Sequence, residues 1–258
     1  MTASALQSTI EALVQARLQQ RPVDHAPALQ HVTSEALAYA VQRGVADRLQ
    51  WFKQHTARHW KSGGPSREAV PTHAPLPPDG IWRSPASSTW PFAMRGIEAE
   101  IALRLAVDVD AERAARLDRD SACRLVDAMT VSIEVVDSRW VQGLEAPALL
   151  KLADLQSHGA LVLGDWLPFD AAHDWSTQVC RVNIGDAPAQ VFRGAHSMGD
   201  PAYVLSAWLR HATRDGQVLP AGSVVTTGTW CGILHAQAGD TVVASFDDIG
   251  EARVAFAA

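Results

Sequence analysis

The 258-residue chain is 47% apolar and 19% charged, with a formal net charge of −6. Apolar content at this level can bury a core, so wholesale disorder is excluded, and the length suits one large domain or two small ones. No dense Lys/Arg stretch offers a footprint for nucleic acid or an anionic membrane, no apolar run reaches the ~20 residues of a bilayer span, and Met1–Gln20 lacks the layout of a secretory leader.

The expected setting is therefore the cytoplasm, and the expected partner is a small molecule. In chain order, a first helix is expected where Leu6, Ile10, Leu13, Val14 and Leu18 recur at helical spacing behind a Ser4/Gln7 capping pair, with Pro22 ending it. A second starts near Thr33, carries Leu37, Ala40, Val41, Val45, Leu49 and Phe52 on one stripe, has Glu35 in its first turn, and fades by about His59. Lys61–Trp90 is punctuated by Ser62-Gly63-Gly64-Pro65 and by Pro71, Pro75, Pro77, Pro78 and Pro85, so no regular element is expected to run far there. An irregular stretch of this length is more often functional than idle. Trp51, Trp60, Trp82 and Trp90 read as core packing, with a pocket wall as the lesser alternative.

From residue 95 the periodicity becomes strand-like, in Ile97–Val109, Val131–Val136, Ala160–Leu163, Val179–Ile184, Ser223–Thr227, Thr241–Phe246 and Arg253–Phe256. One helix interrupts the run: Asp200 caps it, Pro201 occupies its first turn, Val204, Leu205, Trp208, Leu209 and Ala212 form a stripe, and Gly216 ends it. Strands and helices do not alternate, which disfavours a doubly wound parallel sheet. Division into a helical portion with a Pro-rich loop (1–94) and a β-rich catalytic portion (95–258) follows from the change of period. Cys123, Cys180 and Cys231 are far apart and read as reduced thiols.

GxGxxG, GxxxxGK[ST], HExxH and CxxC are all absent, which removes the simplest arguments for dinucleotide, nucleotide or zinc chemistry. Gly194-Ala195-His196-Ser197-Met198-Gly199 has the wrong spacing for a nucleophile elbow, and Ser197 reads as a turn residue. In Gly96-Ile97-Glu98-Ala99-Glu100-Ile101-Ala102-Leu103, the two carboxylates are two residues apart, with Ala99, Ile101, Leu103 and Leu105 between and beyond them. On a strand, Glu98 and Glu100 therefore project to one side. Glu134, flanked by Ile133, Val135 and Val136, is a third candidate, and burying it unpaired would be costly. Three carboxylates meeting at one point need a cation, and hard oxygen ligands select Mg²⁺, Mn²⁺ or Ca²⁺ over zinc. Taken one at a time, an ExE strand reads as a solvated face, Lys61 as a surface lysine, and Thr227-Gly228-Thr229 as an ordinary turn.

Motifs in order along most of the chain change that reading. Ala16-Arg17, Arg21-Pro22-Val23, Ala38-Tyr39-Ala40-Val41-Gln42, Trp60-Lys61-Ser62-Gly63-Gly64, Ile97-Glu98-Ala99-Glu100-Ile101-Ala102, Ile133-Glu134-Val135-Val136-Asp137-Ser138-Arg139, His158-Gly159-Ala160-Leu161-Val162-Leu163-Gly164, Gly199-Asp200-Pro201 with Trp208-Leu209, and Thr226-Thr227-Gly228-Thr229-Trp230-Cys231-Gly232 together resemble the fumarylacetoacetate hydrolase superfamily. Within it they resemble the 2-keto-4-pentenoate hydratase and 4-oxalocrotonate decarboxylase branch. The resemblance implies an α+β fold: a β-rich mixed β-sandwich roll of the fumarylacetoacetate hydrolase C-terminal type with a small helical N-terminal portion. It implies Glu98, Glu100 and Glu134 as ligands of Mg²⁺ or Mn²⁺, Lys61 as a catalytic residue facing the substrate, Thr227, Gly228 and Thr229 as substrate-binding residues, and a homo-oligomer.

The activity implied is hydration of a 2-hydroxy-2,4-dienoate to a 4-hydroxy-2-oxo acid in aromatic catabolism. A 2-oxo-3-enoate decarboxylase, an acylpyruvate C–C hydrolase and an inactive metal-binding assembly partner are the alternatives. Two segments depart from the hydratase pattern: Lys61 is followed by Ser62-Gly63-Gly64-Pro65, and Asp154-Leu155-Gln156-Ser157-His158 lacks an Asn after the Asp. Arg67 and His73, in the Pro-rich stretch, read either as solvated loop residues or as groups that meet a second carboxylate or cover the pocket.

Overall fold

The computed structural model describes residues 3–53 and 55–258, with side chains described from residue 6 onward. Met1, Thr2 and the Ser4 side chain of the expected capping pair lie outside the described residues. Two helices come first, α1 (Ala3–Leu18) and α2 (Glu35–Arg48), and four short strands follow, β1 (His59–Gly63), β2 (Thr72–Pro75), β3 (Ile81–Arg83) and β4 (Ala86–Ser88). Next come β5 (Gly96–Leu105), α3 (Ala111–Ala115), α4 (Arg119–Cys123), β6 (Val126–Val136), α5 (Ala148–Ala153), β7 (His158–Leu163), β8 (Leu167–Pro168), β9 (Val179–Ile184) and β10 (Gln190–Arg193). The chain finishes with α6 (Leu205–Thr213), β11 (Val224–Thr226), β12 (Leu234–His235), β13 (Thr241–Phe246) and β14 (Gly250–Phe256).

Among the described residues these strands form two sheets of a mixed α/β chain. The larger runs β2-β1-β11-β5-β6-β7-β3, with β12 on β5 and β8 on β6, and the smaller runs β10-β9-β13-β14-β4. The pairs β1/β11, β3/β7 and β4/β14 are parallel and the others antiparallel.

No element of the Pro-rich stretch runs beyond five residues, as expected, but the stretch is not irregular. It holds four strands, because the prolines delimit short elements instead of abolishing them: β2 lies between Pro71 and Pro77, β3 between Pro78 and Pro85, and β4 between Pro85 and Pro91. Both sheets therefore take strands from either side of residue 95. The second helix also stops earlier than expected, at Arg48, where Gln50 and Lys53 adopt left-handed φ of 52° and 44°. Its N-cap is Ser34, whose hydroxyl accepts from Leu37 N. Leu18 ends α1 63% exposed, so the buried stripe of that helix is Ile10, Leu13 and Val14. The Asp200 cap is as expected, but it opens a 3₁₀ turn over Pro201–Val204 that leads into α6.

Alternation along β5 determines where the core and the site lie. Ile97, Ala99, Ile101, Leu103 and Leu105 join Ile133, Val135, Val242, Val254 and Phe256 in the main core, which draws residues from both sheets. The even-numbered residues face the other way, and at one end of that face Ala102, Leu161, Leu163 and Val224 form an apolar patch with Leu76. A separate core joins α1, α2 and α5 through Leu13, Val41, Val45 and Leu150. Gln42 ties it to the large sheet by donating from Nε2 to Leu152 O (2.6 Å) and His73 O (3.3 Å).

Candidate metal centre and its cavity

On the even face of β5, at the end away from the apolar patch, three carboxylates meet. Glu98 pairs directly with Glu134 across the β5/β6 ladder, and Glu100 pairs with Ser132, so all of these side chains share one face. Carboxylate oxygens of Glu98, Glu100 and Glu134 lie within 4.8 Å of one another. Three neighbouring strands supply the surroundings. Lys61 on β1 sits opposite Thr226 on β11, and Thr226 sits opposite Ala102 on β5, which places both on the carboxylate face. A register shift between Val135 and Val136 brings His158, at the start of β7, to Glu134.

Each carboxylate has a different environment. Glu134 is fully buried, and its Oε1 accepts from Lys61 Nζ at 2.6 Å and contacts His158 Nδ1 at 3.1 Å. Its Oε2 is buried without a hydrogen-bond partner. Glu100 Oε2 accepts from the Thr226 hydroxyl and from Gly228 N (3.1 Å). Gly228 reaches this position at φ +112°, where an L side chain is strained and a Cβ would meet Ser197 Oγ at 3.0 Å. Glu98, half-buried, faces Glu134 across the ladder and shares its strand with Glu100.

The electrostatics follow from three acids and one ammonium. Burial, reinforced by Glu100 and Glu134 against the pull of Lys61, raises Glu98 to about 8. Burial and Glu134 raise Glu100 to about 7. Burial would also raise Glu134, but Lys61 and His158 outweigh it and hold the carboxyl below its ordinary value. Burial would lower Lys61, and the three carboxylates outweigh it and keep the ammonium protonated above its usual range. The donor set fits a hard divalent ion. It is all oxygen, it is two negative charges in excess, and one of its oxygens, Glu134 Oε2, is buried with nothing to accept from.

A cavity of about 520 Å³ opens beside the cluster, and its lining includes Lys61, Glu98, Glu100, Gly228 and Thr229 together with apolar residues such as Leu149 and Leu152. Of the substrate-binding residues implied by the sequence, Gly228 and Thr229 line this cavity and Thr227 does not. Thr227 is fully buried, with its hydroxyl donating to Ile101 O at 2.7 Å. Strand alternation explains the difference, since Thr226, one residue earlier, shares the parity of Glu100. Arg67 lies off the cavity lining: its Nε donates to Met198 O (2.6 Å) and its guanidinium stacks 5.1 Å over Tyr203.

His73 is neither solvated nor over the pocket. It is buried, hydrogen-bonded to Ser62 Oγ (2.9 Å) and 4.5 Å from the His211 ring, and burial pushes it down to about 3. Ser197 is the expected turn residue and also touches the cavity. Of the four early tryptophans Trp60 is buried, whereas Trp51, Trp82 and Trp90 line a second cleft of about 290 Å³ whose lining includes none of the three glutamates. The sequence reading missed His158, Thr226 and Gln156 as neighbours of the site. Parity with Ala102 could have found Thr226, whereas a β-bulge and a left-handed turn leave no periodic signal for the other two.

Comparison with known proteins bears on the family and the fold. The sequence profile of the family described as fumarylacetoacetate (FAA) hydrolase C-terminal matches residues 41–257. A 2-keto-4-pentenoate hydratase of Burkholderia vietnamiensis is 32% identical over 163 residues, and 2-keto-4-pentenoate hydratase 1 of Dechloromonas aromatica is 30% identical over 162. Each match takes in 62% of this chain and 60% of the relative, so the chain matches less than two thirds of the length of these curated relatives. A 4-oxalocrotonate decarboxylase from Pseudomonas putida, solved with magnesium and adipate, superposes with a TM-score of 0.85 over 99% of this chain and 98% of its own, at 17% identity. That likeness speaks to the fold.

Proposed function

Because the chain belongs to the fumarylacetoacetate hydrolase C-terminal family, we propose that it is a divalent-metal-dependent hydro-lyase that adds water to a 2-hydroxy-2,4-dienoate of the 2-keto-4-pentenoate type. The observation that carries the reading is the convergence of Glu98, Glu100 and Glu134 with Lys61 beside a cavity that Lys61, Glu98 and Glu100 line. Curated relatives named as 2-keto-4-pentenoate hydratases support the choice of substrate class.

A Mg²⁺ or Mn²⁺ held by the three glutamates would supply the Lewis acidity that polarises the 2-oxygen of such an acid. Lys61 presents an ammonium to an anionic substrate, and Glu134 holds its Nζ in place. Gly228 N and the Thr226 hydroxyl orient Glu100, and His158 orients Glu134. The apolar wall at Leu149 and Leu152 suits the hydrocarbon part of the substrate. Addition of one water places oxygen on C4 and hydrogen on C3 and C5 as the 2-enol becomes the 2-ketone.

A second reading, decarboxylation of a 2-oxo-3-enoate with a further carboxylate, is favoured by Lys151, a second ammonium on the cavity wall whose Nζ donates to Leu144 O at 2.9 Å. The test is an ultraviolet assay of fresh 2-hydroxypenta-2,4-dienoate and 2-hydroxymuconate, with EDTA or with added Mg²⁺ or Mn²⁺, and product identification by NMR. Metal-dependent formation of a 4-hydroxy-2-oxo acid is expected. Release of CO₂ from 2-hydroxymuconate establishes the second reading, and inertness towards both compounds with metal bound sinks the proposal.

A further inference from the structure

The segment 194–199 lies against the segment 226–229 and carries a buried histidine, His196, at the contact. Both ring nitrogens of His196 are engaged. Met198 N donates to Nδ1 at 3.2 Å, and Nε2 lies 3.1 Å from Thr227 O. A backbone N–H can only donate and a carbonyl oxygen can only accept, so these two partners fix a neutral ring with its proton on Nε2. Burial acts in the same direction, pushing His196 down to about 4. The ring stands 5.5 Å from Trp230, and beside it Ser197 N donates to Thr229 O at 3.2 Å.

What the ring holds is the turn that serves Glu100. The same turn is tied to β5, where the Thr227 hydroxyl donates to Ile101 O (2.7 Å) and Trp230 N donates to Ala99 O (2.9 Å). Between these two ties Gly228 takes φ +112° and directs its N–H at Glu100 Oε2, 3.1 Å away. The two segments approach so closely that a Cβ on Gly228 would come within 3.0 Å of Ser197 Oγ and 3.6 Å of His196 Nε2. Thr227 O and Gly228 N belong to one planar peptide group, so a hydrogen bond that fixes the carbonyl also fixes the direction of the N–H.

We propose that His196 is a positioning residue of the metal centre, acting on Glu100 through the peptide group between Thr227 and Gly228. Its Nε2–H holds the carbonyl of that peptide, and the peptide N–H holds the carboxylate. The assignment rests on the reading of Glu100 as a metal ligand and deepens it. Hydrogen bonds in series through one amide polarise one another, so loss of the histidine weakens the Gly228 bond as well as freeing its direction.

The test is paramagnetic resonance titration of the full chain with Mn²⁺, comparing wild type with His196→Gln and His196→Asn. Gln brings an amide N–H to the position of Nε2, whereas Asn is one methylene shorter and falls short of Thr227 O. His196→Asn should weaken Mn²⁺ binding about tenfold, the low end of what groups orienting metal ligands are worth, and His196→Gln should stay within about twofold of wild type. A merely structural role makes no distinction between the ligands, so the cycle with them is decisive. The loss caused by His196→Asn should shrink below about twofold on a Glu100→Ala background and persist at about tenfold on a Glu98→Ala background. His196→Phe keeps a ring against Trp230 and replaces the Asn variant if that one fails to fold. Equal losses with Gln and Asn, no loss with Asn or Phe, or the same loss on both backgrounds overturns the assignment and leaves the functional reading standing. Failure of wild type to bind Mn²⁺ overturns the functional reading, and this assignment falls with it.

Discussion

Two clusters of buried charge lie on either side of the left-handed turn at 155–157, and they are built on opposite principles. On one side two guanidiniums meet two carboxylates. Asp154, fully buried, accepts from Arg17 Nη2 (3.0 Å), Arg139 Nε (2.7 Å) and Arg139 N (2.9 Å), and Asp137 stands 3.8 Å from Arg139. On the other side three carboxylates meet one ammonium, and a carboxylate oxygen of Glu134 lacks a partner. Stability alone explains a balanced, fully hydrogen-bonded network, whereas it gives no reason to bury two surplus negative charges. With all three carboxylates ionised the surplus equals the charge of one divalent cation, which is the reason for proposing the second cluster as the metal site and the first as the clamp that holds its flank.

The largest effect expected from this contrast is on the clamp. Asp154→Ala leaves two buried guanidiniums facing Asp137 alone, and should cost about 3–5 kcal/mol in urea denaturation, the range seen when one partner of a buried ion pair is removed. A loss within the range of an exposed pair, about 0.2–1 kcal/mol, would mean that the two clusters do not differ in kind.

Glu134→Gln is the counterpart in the other cluster. It takes the partner from Lys61 Nζ but leaves that ammonium facing Glu98 and Glu100, so the metal-free protein should lose less stability than with Asp154→Ala, which leaves two guanidiniums facing Asp137. The variant's affinity for Mn²⁺, followed by paramagnetic resonance titration, should fall by ~100-fold or more, since groups that merely orient metal ligands are already worth about 10- to 100-fold. Undiminished Mn²⁺ binding would remove Glu134 from the ligand set.

The two clusters were also unequally legible in the sequence. Alternation of Glu98 and Glu100 with Ala99, Ile101 and Leu103 pointed to both the strand and the face, although β5 proves buried on both sides, with only Glu98 and Arg104 partly exposed. Pairing of Glu98 with Glu134 is a register, which a hydrophobic pattern constrains only once the partner strand is known, and there the family resemblance carried the inference. Lys61 read alone as a surface lysine and proved 11% exposed, because the strand around it is two-faced and short and its neighbour β11 comes from distant sequence. The Asp154 clamp left no trace at all: Arg17, Arg139 and Asp154 are 137 and 15 residues apart in the hydrogen bonds they make, and nothing local marks them as partners. Helices α3 and α4 were also missed, although Asp110 and Asp118 are N-caps of the kind that identified α6.

The contrast sharpens further with pH, where a smaller effect of definite sign is expected in EDTA. Burial raises Glu98 to about 8 and Glu100 to about 7, from 4.5. In this range the metal-free folded state keeps protons that the unfolded chain has released, so the stability these groups contribute is full below about pH 4.5 and is lost as pH rises towards 8. Glu134 has the opposite sign, being held below its ordinary value by Lys61 and His158 despite burial, and its contribution is lost only on the acid side. His73, His196 and His211, which burial lowers to about 3, 4 and 2, add stability as pH rises to 6.5 and little beyond it. The clean window is therefore pH 7 to 8, where unfolding free energy of the metal-free protein should decline and Glu98→Gln should flatten the decline, the histidines cancelling in the comparison. Saturating Mg²⁺ should abolish the decline, because the ion takes up the charge that protons otherwise neutralise. A wild-type curve in EDTA that is flat or rising across this window, with Glu98→Gln parallel to it, would show that the three carboxylates are not crowded enough to need an ion.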